Sequence, residues 1–411
     1  MKIALVRARY NPSGGAERFA ERALIALADQ DALVSVIARS WKPEGAAPIR
    51  CALVTCDPFY LGSVWRDWGF ARAVVRLVRG MHFDLVQSHE RIPGLAIYRA
   101  GDGVHASWLA RRRAALGLRA RLGVLFNPHH WYLVRVERLL FEHPELRAVI
   151  CNSSLVAREI AERFQIDPAK LHRIPNGVDL ERFHPRVGAL HRVRTRALLD
   201  IGADAPVLLF MGSGFERKGL AYALDALARL PAAVHLVVVG DDKRRARYTA
   251  QARRLGLTAR VHFVGEQADP LPFLAGADAL VLPTLYDPFP NAVLEALACG
   301  LPVITSDACG ALDVVQAGTN GWIHRSADSA DLTEKLRLWL DRWQEPGGRA
   351  ALGESARLSV AGHGTEALGA ALMALYRGLL GAPESAGAGA GVPGDARIGA
   401  SAAPAAPSPR R

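Results

Sequence analysis

The 411 residues, half of them hydrophobic and 22% charged, suffice for two domains with separate cores and exclude a disordered chain. No apolar run reaches the roughly 20 residues of a membrane-spanning helix, and Lys2-Ile3-Ala4-Leu5-Val6-Arg7 is too short and too charge-interrupted for a signal peptide. A formal charge of +11 implies an anionic partner, whether nucleic acid, an anionic lipid surface or a phosphorylated substrate.

Ile3-Ala4-Leu5-Val6 reads as a first buried strand, residues 16–28 as a helix and 33–37 as a second strand. The turn after the first strand carries Gly14 and Gly15. Paired glycines there let backbone N–H groups approach a ligand closely, although a turn that needs glycine only for its backbone angle is the plainer alternative. The three spaced glycines of the dinucleotide fingerprint are missing. A strand over 82–90 ends in Ser88, His89 and Glu90, at the sheet edge where ligands of open α/β folds gather. The strand 96–99 leads into a Gly-rich turn with Asp102 and His105, which either line a ligand site or, for Asp102, hold the turn.

Between Gly103 and Val136 there is no acidic residue. Arg111, Arg112, Arg113, Arg119, Arg121 and Arg135 alternate with apolar and aromatic residues that include Trp108, Trp131 and Tyr132. Such a segment suits an anionic membrane surface, while a solvated helix face is the usual fate of a charge run. Neither a zinc finger nor an RNP-like strand supports nucleic-acid binding. A strand over 148–153 precedes a helix capped near Ser153 or Ser154. Ile174-Pro175-Asn176-Gly177-Val178-Asp179 is a strand end and an Asn-Gly turn. The five cysteines, Cys51, Cys56, Cys151, Cys299 and Cys309, lack metal-ligand spacing, so free thiols in a reducing cytoplasm are expected.

Residues 184–205 read as a linker and connecting helix, after which the second half opens with the buried strand 207–211. It runs into Gly212-Ser213-Gly214-Phe215-Glu216-Arg217-Lys218-Gly219. Two glycines and an Arg-Lys pair before a helix make a cradle for a diphosphate, with Arg217 as a bidentate fork and Lys218 as a point charge. A pair facing water is the alternative. Strands follow at 234–239 and 261–265, the latter ending in Gly265. The apolar run 279–282 is another strand, closed by Pro283. Past the loop Tyr286-Asp287-Pro288-Phe289-Pro290, Asn291 is placed as N-cap of a helix carrying Val293, Leu294, Leu297 and Ala298 at helical spacing.

Asn291 and Ala292 lie at the helix start, where backbone N–H groups and the positive dipole end attract a phosphate. Glu295, one turn in, suits the vicinal diol of a ribose. Asp287 reaches hydroxyls of whatever the phosphate carries. Phosphate, ribose and polyol in a row describe a nucleotide sugar; a turn aspartate and a solvated helix acid are the bland alternative. Residues 306–310 close the site, helices dominate 331–381, and from 382 the Ala-, Gly-, Pro- and Ser-rich composition reads as a disordered tail. Two runs of alternating strands and helices imply an α/β protein of two Rossmann-like domains facing a cleft. Their expected bounds are 1–183 and 184–362.

An acid, seven residues, then Glu, in the setting Pro288-Phe289-Pro290-Asn291 and Leu294-Glu295-Ala296, resembles the signature of the retaining GT-B glycosyltransferases of family 4. The first acid there is usually Glu; Asp287 is one methylene shorter. Residues 174–179 and Gly-Ser-x-Phe-x-Arg-Lys-Gly at 212–219 resemble the same family, and the likeness spans nearly the whole chain apart from the tail. With Pro93-Gly94-Leu95, the second stretch is most similar to the α-1,3-glucosyltransferases of the lipopolysaccharide core.

The resemblance implies that residues 363–381 cross back to the N-terminal domain. It implies catalytic roles for Asp102, Arg217, Lys218 and Asp287. Donor contacts would come from Gly14, Gly15, Gly212, Gly265, Phe289, Pro290, Asn291, Ala292 and Glu295. His89, His105 and Arg111, Arg112, Arg113, Arg119 and Arg121 would serve the acceptor or the membrane. The implied activity moves glucose from a UDP-sugar to a lipopolysaccharide core or related cell-envelope glycan, without metal or other cofactor, at the cytoplasmic face of the inner membrane. The alternatives are a GT-B sugar-nucleotide epimerase and a non-catalytic basic protein that binds membranes or nucleic acid.

Overall fold

A computed structural model describes residues 1–9, 23–24, 32–40, 51–115, 123 and 126–381. Gly14, Gly15, Arg119, Arg121, most of the helix expected at 16–28 and the tail 382–411 lie outside the described residues.

The apolar runs form two parallel sheets. The first holds β1 (Lys2–Val6), β2 (Leu33–Ala38), β3 (Ala52–Thr55), β4 (Leu85–Ser88), β5 (Ile97–Arg99), β6 (Ala148–Cys151) and β7 (Leu171–Arg173) in the order β3-β2-β1-β4-β5-β6-β7. The second holds β8 (Val207–Met211), β9 (His235–Val239), β10 (Val261–Gly265), β11 (Ala279–Leu282), β12 (Val303–Ser306) and β13 (Gly321–His324) in the order β10-β9-β8-β11-β12-β13. Strands β8, β11 and β12 are buried at every residue, because helices cover both faces of a parallel sheet. β3 and β13 escape the sequence pattern: both are only four residues long, and β3 exposes most of its side chains. Strand order reverses between β1 and β4 and between β8 and β11. A crevice opens beyond the carboxyl ends of the strands at such a reversal.

Residues 184–205 are no slack linker. The helix Gly188–Leu198 packs on the helix Leu271–Gly276. Arg196 is buried and donates to the carbonyls of Gly202, Ala203, Ala205 and Gly276 and to Asp278 Oδ2 at 2.7 Å. Arg192 holds the other Asp278 oxygen at 2.8 Å. A buried carboxylate needs such partners, and they tie this segment into the second domain.

The final helix, Thr365–Leu380, packs Leu368, Leu372, Met373 and Tyr376 into the core of the first sheet. The buried Tyr376 hydroxyl donates to Gln87 Oε1 on β4 at 2.7 Å. Tyr376→Phe is expected to cost about 1–3 kcal/mol by leaving that acceptor unpaired, read as a lower denaturation midpoint. An unchanged midpoint would remove this tie as a source of stability.

Candidate active site

The loop after β8 is shaped around its lysine. Gly212 has φ +125°, and a Cβ there would lie 2.6 Å from Lys218 Cε. Only glycine lets the short helix Phe215–Lys218 fold back over the strand end. That helix delivers its cations to one carboxylate from the loop after β11: Asp287 Oδ2 accepts from Arg217 Nη1 at 2.9 Å and Lys218 Nζ at 3.1 Å. Arg217 also donates to the Tyr286 carbonyl at 3.0 Å. Behind the loop, Asp287 bonds through its own backbone to Ala308 and Gly310, so residues 306–310 support the site from the rear. Burial opposes ionisation of Asp287, but Lys218 and Arg217 outweigh it and hold its carboxyl below the ordinary value.

A cavity of about 400 Å³ opens beside this cluster, lined from the second domain by Gly212, Arg217, Lys218, Asp287, Phe289, Pro290, Asn291, Ala292 and Glu295. Glu295 is fully buried and stands one turn into the helix Asn291–Ala298. The cap of that helix is Pro290, in extended conformation, and not Asn291 as the sequence suggested. Asn291 turns its side chain across the cleft and accepts from Asn176 Nδ2 at 2.8 Å. The same amide group of Asn176 donates to the Phe289 carbonyl at 3.1 Å.

The first domain contributes Arg91, Arg99, Asp102, His105 and Trp108 to the same cavity. Arg99, at the end of β5, is buried and donates to Asn176 Oδ1 at 2.5 Å. Burial lowers its pKa to about 9 against the opposing pull of Asp102. Desolvation resists charge on Asp102, yet Arg7, Arg91, Arg99 and Arg217 hold its carboxyl below the ordinary value. Arg91 pairs at 3.0 Å with the buried Glu137. That carboxylate also caps the helix His105–Ala115, accepting from the His105 amide at 2.6 Å. His105 Nε2 and His130 Nδ1 share a hydrogen bond at 3.0 Å. Burial first, then Arg91 and the neighbouring histidines, push His105 down to about 3, so the ring is neutral.

Several expectations change. Gly265 lies outside the cavity lining, behind Gly240, whose amide it accepts at 2.7 Å. His89 is buried against Gln87 and outside that lining, and burial with Arg99 and Arg7 keeps it neutral. Arg111 and Arg112, expected to serve the acceptor or the membrane, each meet an acid. Arg111 pairs with Glu159 at 3.3 Å and lies over the Tyr286 ring; Arg112 pairs with Glu216 of the second domain at 2.7 Å. Both acids come from outside the acid-free segment, where local charge counting does not reach. Arg113 bonds the Leu109 carbonyl of its own helix. Asp287, assigned to sugar hydroxyls, spends one oxygen on the two cations. Arg91, Arg99 and the Asn176 side chain were missed. A lone arginine closing an apolar strand was the available signal, since an arginine is almost never buried without a partner.

Two parallel-sheet domains that turn one cavity toward each other, with a basic pair and a helix start on its wall, have the architecture of a GT-B glycosyltransferase. The chain belongs to that class: residues 13–182 match the family model described as Glycosyltransferase Family 4, and residues 194–359 the one described as Glycosyl transferases group 1. It is similar to the lipopolysaccharide glucosyltransferase WaaG of Escherichia coli (strain K12), with 28% identity over 362 residues, 87% of this chain and 93% of that one. The crystal structure of WaaG, a glycosyltransferase involved in lipopolysaccharide biosynthesis, superposes with a TM-score of 0.78 at 26% identity, covering 92% of this chain and all of that one. A lipopolysaccharide core biosynthesis glycosyltransferase, LpsE of Rhizobium meliloti (strain 1021), is 41% identical over 126 residues, 31% of this chain and 37% of its own. Anabaena HepE in complex with UDP and glucose shares the fold at a TM-score of 0.68 and 21% identity, over 92% of this chain and all of that one.

Asp102 and Asp287 both titrate below their ordinary value of 3.8 in the folded protein. The stability they add is therefore complete above that value and is lost as pH falls through the lower folded values. Asp287→Asn is expected to lower the thermal midpoint at pH 7 and to flatten the wild-type decline below about pH 4. Parallel acid limbs for the two proteins would contradict this.

Proposed function

We propose that the protein transfers a hexose, glucose, from a UDP-sugar to a lipopolysaccharide core or related cell-envelope glycan, with retention of configuration. The carrying observation is the convergence of Arg217, Lys218, the helix start at Asn291 and the Glu295 carboxylate on one cavity. In this reading Arg217 and Lys218 neutralise the diphosphate as the bond from the anomeric carbon to the β-phosphate oxygen breaks. N–H groups at Asn291 and Ala292 share that charge, Glu295 holds the ribose, and Asp287 keeps both cations aimed. Asp102, His105 and Arg91 face the acceptor. The acceptor oxygen attacks from the side the diphosphate leaves, and its proton passes to the departing phosphate. The positive charge needed comes from side chains and a helix end, so no metal is given a role. Glucose and the lipopolysaccharide acceptor are supported by the similarity to WaaG and LpsE; UDP is supported by the shared fold of HepE.

Arg217→Ala and Lys218→Ala are each expected to cut turnover by roughly 10²-fold or more with the fold intact. The measurement is transfer or slow hydrolysis across a panel of UDP-glucose, UDP-galactose and GDP-mannose. Wild-type rates in both variants would remove their assigned role.

The protein is further assigned to the inner-membrane surface as a peripheral enzyme. No helix among the described residues is long and apolar enough to cross a membrane. Trp131 is 67% exposed, and Phe59, Trp65, Trp68 and Phe126 also face outward. Arg66, Arg72 and Arg76 share the helix Gly62–Arg79 with two of these aromatics. Aromatic and basic residues together suit an anionic lipid surface. Trp65→Ser with Trp68→Ser should weaken co-flotation with phosphatidylglycerol vesicles severalfold, while phosphatidylcholine vesicles bind little in either case. Equal flotation of wild type and variant would contradict this placement.

A further inference from the structure

Asp287 is bracketed by three bonds that cross between the domains. On one side, the buried Tyr286 hydroxyl donates to Glu159 Oε2 at 2.7 Å and accepts from the Val104 amide at 2.9 Å. On the other, Ser153 Oγ donates to the Pro288 carbonyl at 2.7 Å. Glu159 and Ser153 belong to the helix Ser154–Arg163 and its cap, in the first domain. The cations aimed by Asp287 belong to the second. The interface is shaped for this contact: Gly103 has φ +67°, and a Cβ there would come within 2.3 Å of the Tyr286 hydroxyl and 2.7 Å of Pro288 Cγ.

We infer that Glu159 and Ser153 are positioning residues, which act through Tyr286 and Pro288 to hold Asp287, and with it Arg217 and Lys218, in reacting geometry only when the two domains are closed. This rests on the assignment of that basic pair to the departing diphosphate. A loop carbonyl and a tyrosine hydroxyl cannot reach these partners if the domains part. Opening then frees Tyr286 and Pro288 on both sides of Asp287, and the cation pair keeps only the support that Ala308 and Gly310 give from behind. The bond is strong where it stands, because a neutral hydroxyl donates to a carboxylate away from water. Burial and the adjacent Glu159 raise the Tyr286 pKa well above its ordinary value, so the hydroxyl keeps its proton. Arg217, Lys218, the helix start at Asn291 and Glu295 lie in the second domain. The helix start and Glu295 stand apart from the latch, so its loss should cost turnover more than UDP affinity.

The test uses the full chain with UDP and UDP-glucose as probes. Glu159→Ala should lower turnover about tenfold, the worth of one such bond, with the UDP dissociation constant within about twofold of wild type by calorimetry. Glu159→Gln, which still accepts from the hydroxyl, should recover most of the rate. Tyr286→Phe on top of Glu159→Ala should add only the loss of the Val104 bond, since both remove the bond to Glu159. Small-angle scattering with UDP present reads closure without chemistry, and there the Glu159→Ala chain should be more extended than wild type. Loss of UDP affinity in step with rate, or a Glu159→Ala chain as compact and as active as wild type, overturns the inference. A wild type that closes on UDP but turns over no nucleotide sugar counts against the proposed function alone.

Discussion

One carboxylate between two cations organises the cleft. Asp287 neutralises only one of the charges on Arg217 and Lys218, so the cluster keeps an excess positive charge, with Lys218 and Asp287 buried and Arg217 partly exposed. A charge so placed is costly without a partner. An anionic ligand would relieve that cost, and Asp287 aims the donors before one arrives, which is the condition for stabilising charge that develops during a reaction. The opposite wall obeys the same constraint: Arg91 and Arg99 face the cavity, and Asp102 stays ionised among them.

The sheets place that cluster where it can act. A reversal of strand order leaves a gap that no crossover helix fills, and in the second domain the loops after β8 and β11 both leave from it. The Gly-rich loop supplies the cations and the Pro-rich loop supplies the acid. Neither loop makes a site by itself. The first domain then reaches the Pro-rich loop at Tyr286, Pro288, Phe289 and Asn291, so the cavity wall around Asp287 is a shared structure. The final helix returns to β4 and holds the two bodies on one chain path.

Two arginines of the basic stretch between Gly103 and Val136 show what local charge counting leaves out. Its lack of acids suggested a surface for an anionic membrane or acceptor. Two of its arginines instead meet Glu159 and Glu216, which folding brings in from elsewhere. The outward-facing residues nearby are aromatic, and some lie on a helix far earlier in the chain. Charge spacing along a sequence measures neighbours on a helix, whereas an ion pair between domains is set by the path of the backbone.

Much of this molecule was determined by sequence alone. Continuous apolar runs specify parallel strands because both faces of each must be covered, and glycines at strand ends specify tight strand-to-helix turns. The spacing from Asp287 to Glu295 placed one acid before a helix and one inside it, because helical rise is regular. Only the tertiary structure decided that Asp287 serves the cations, that Asn291 faces Asn176, and that Arg91 and Arg99 reach the cavity. Each depends on contacts between residues far apart in the chain. Local propensity carries no information about such distances, and packing between the two domains settles them.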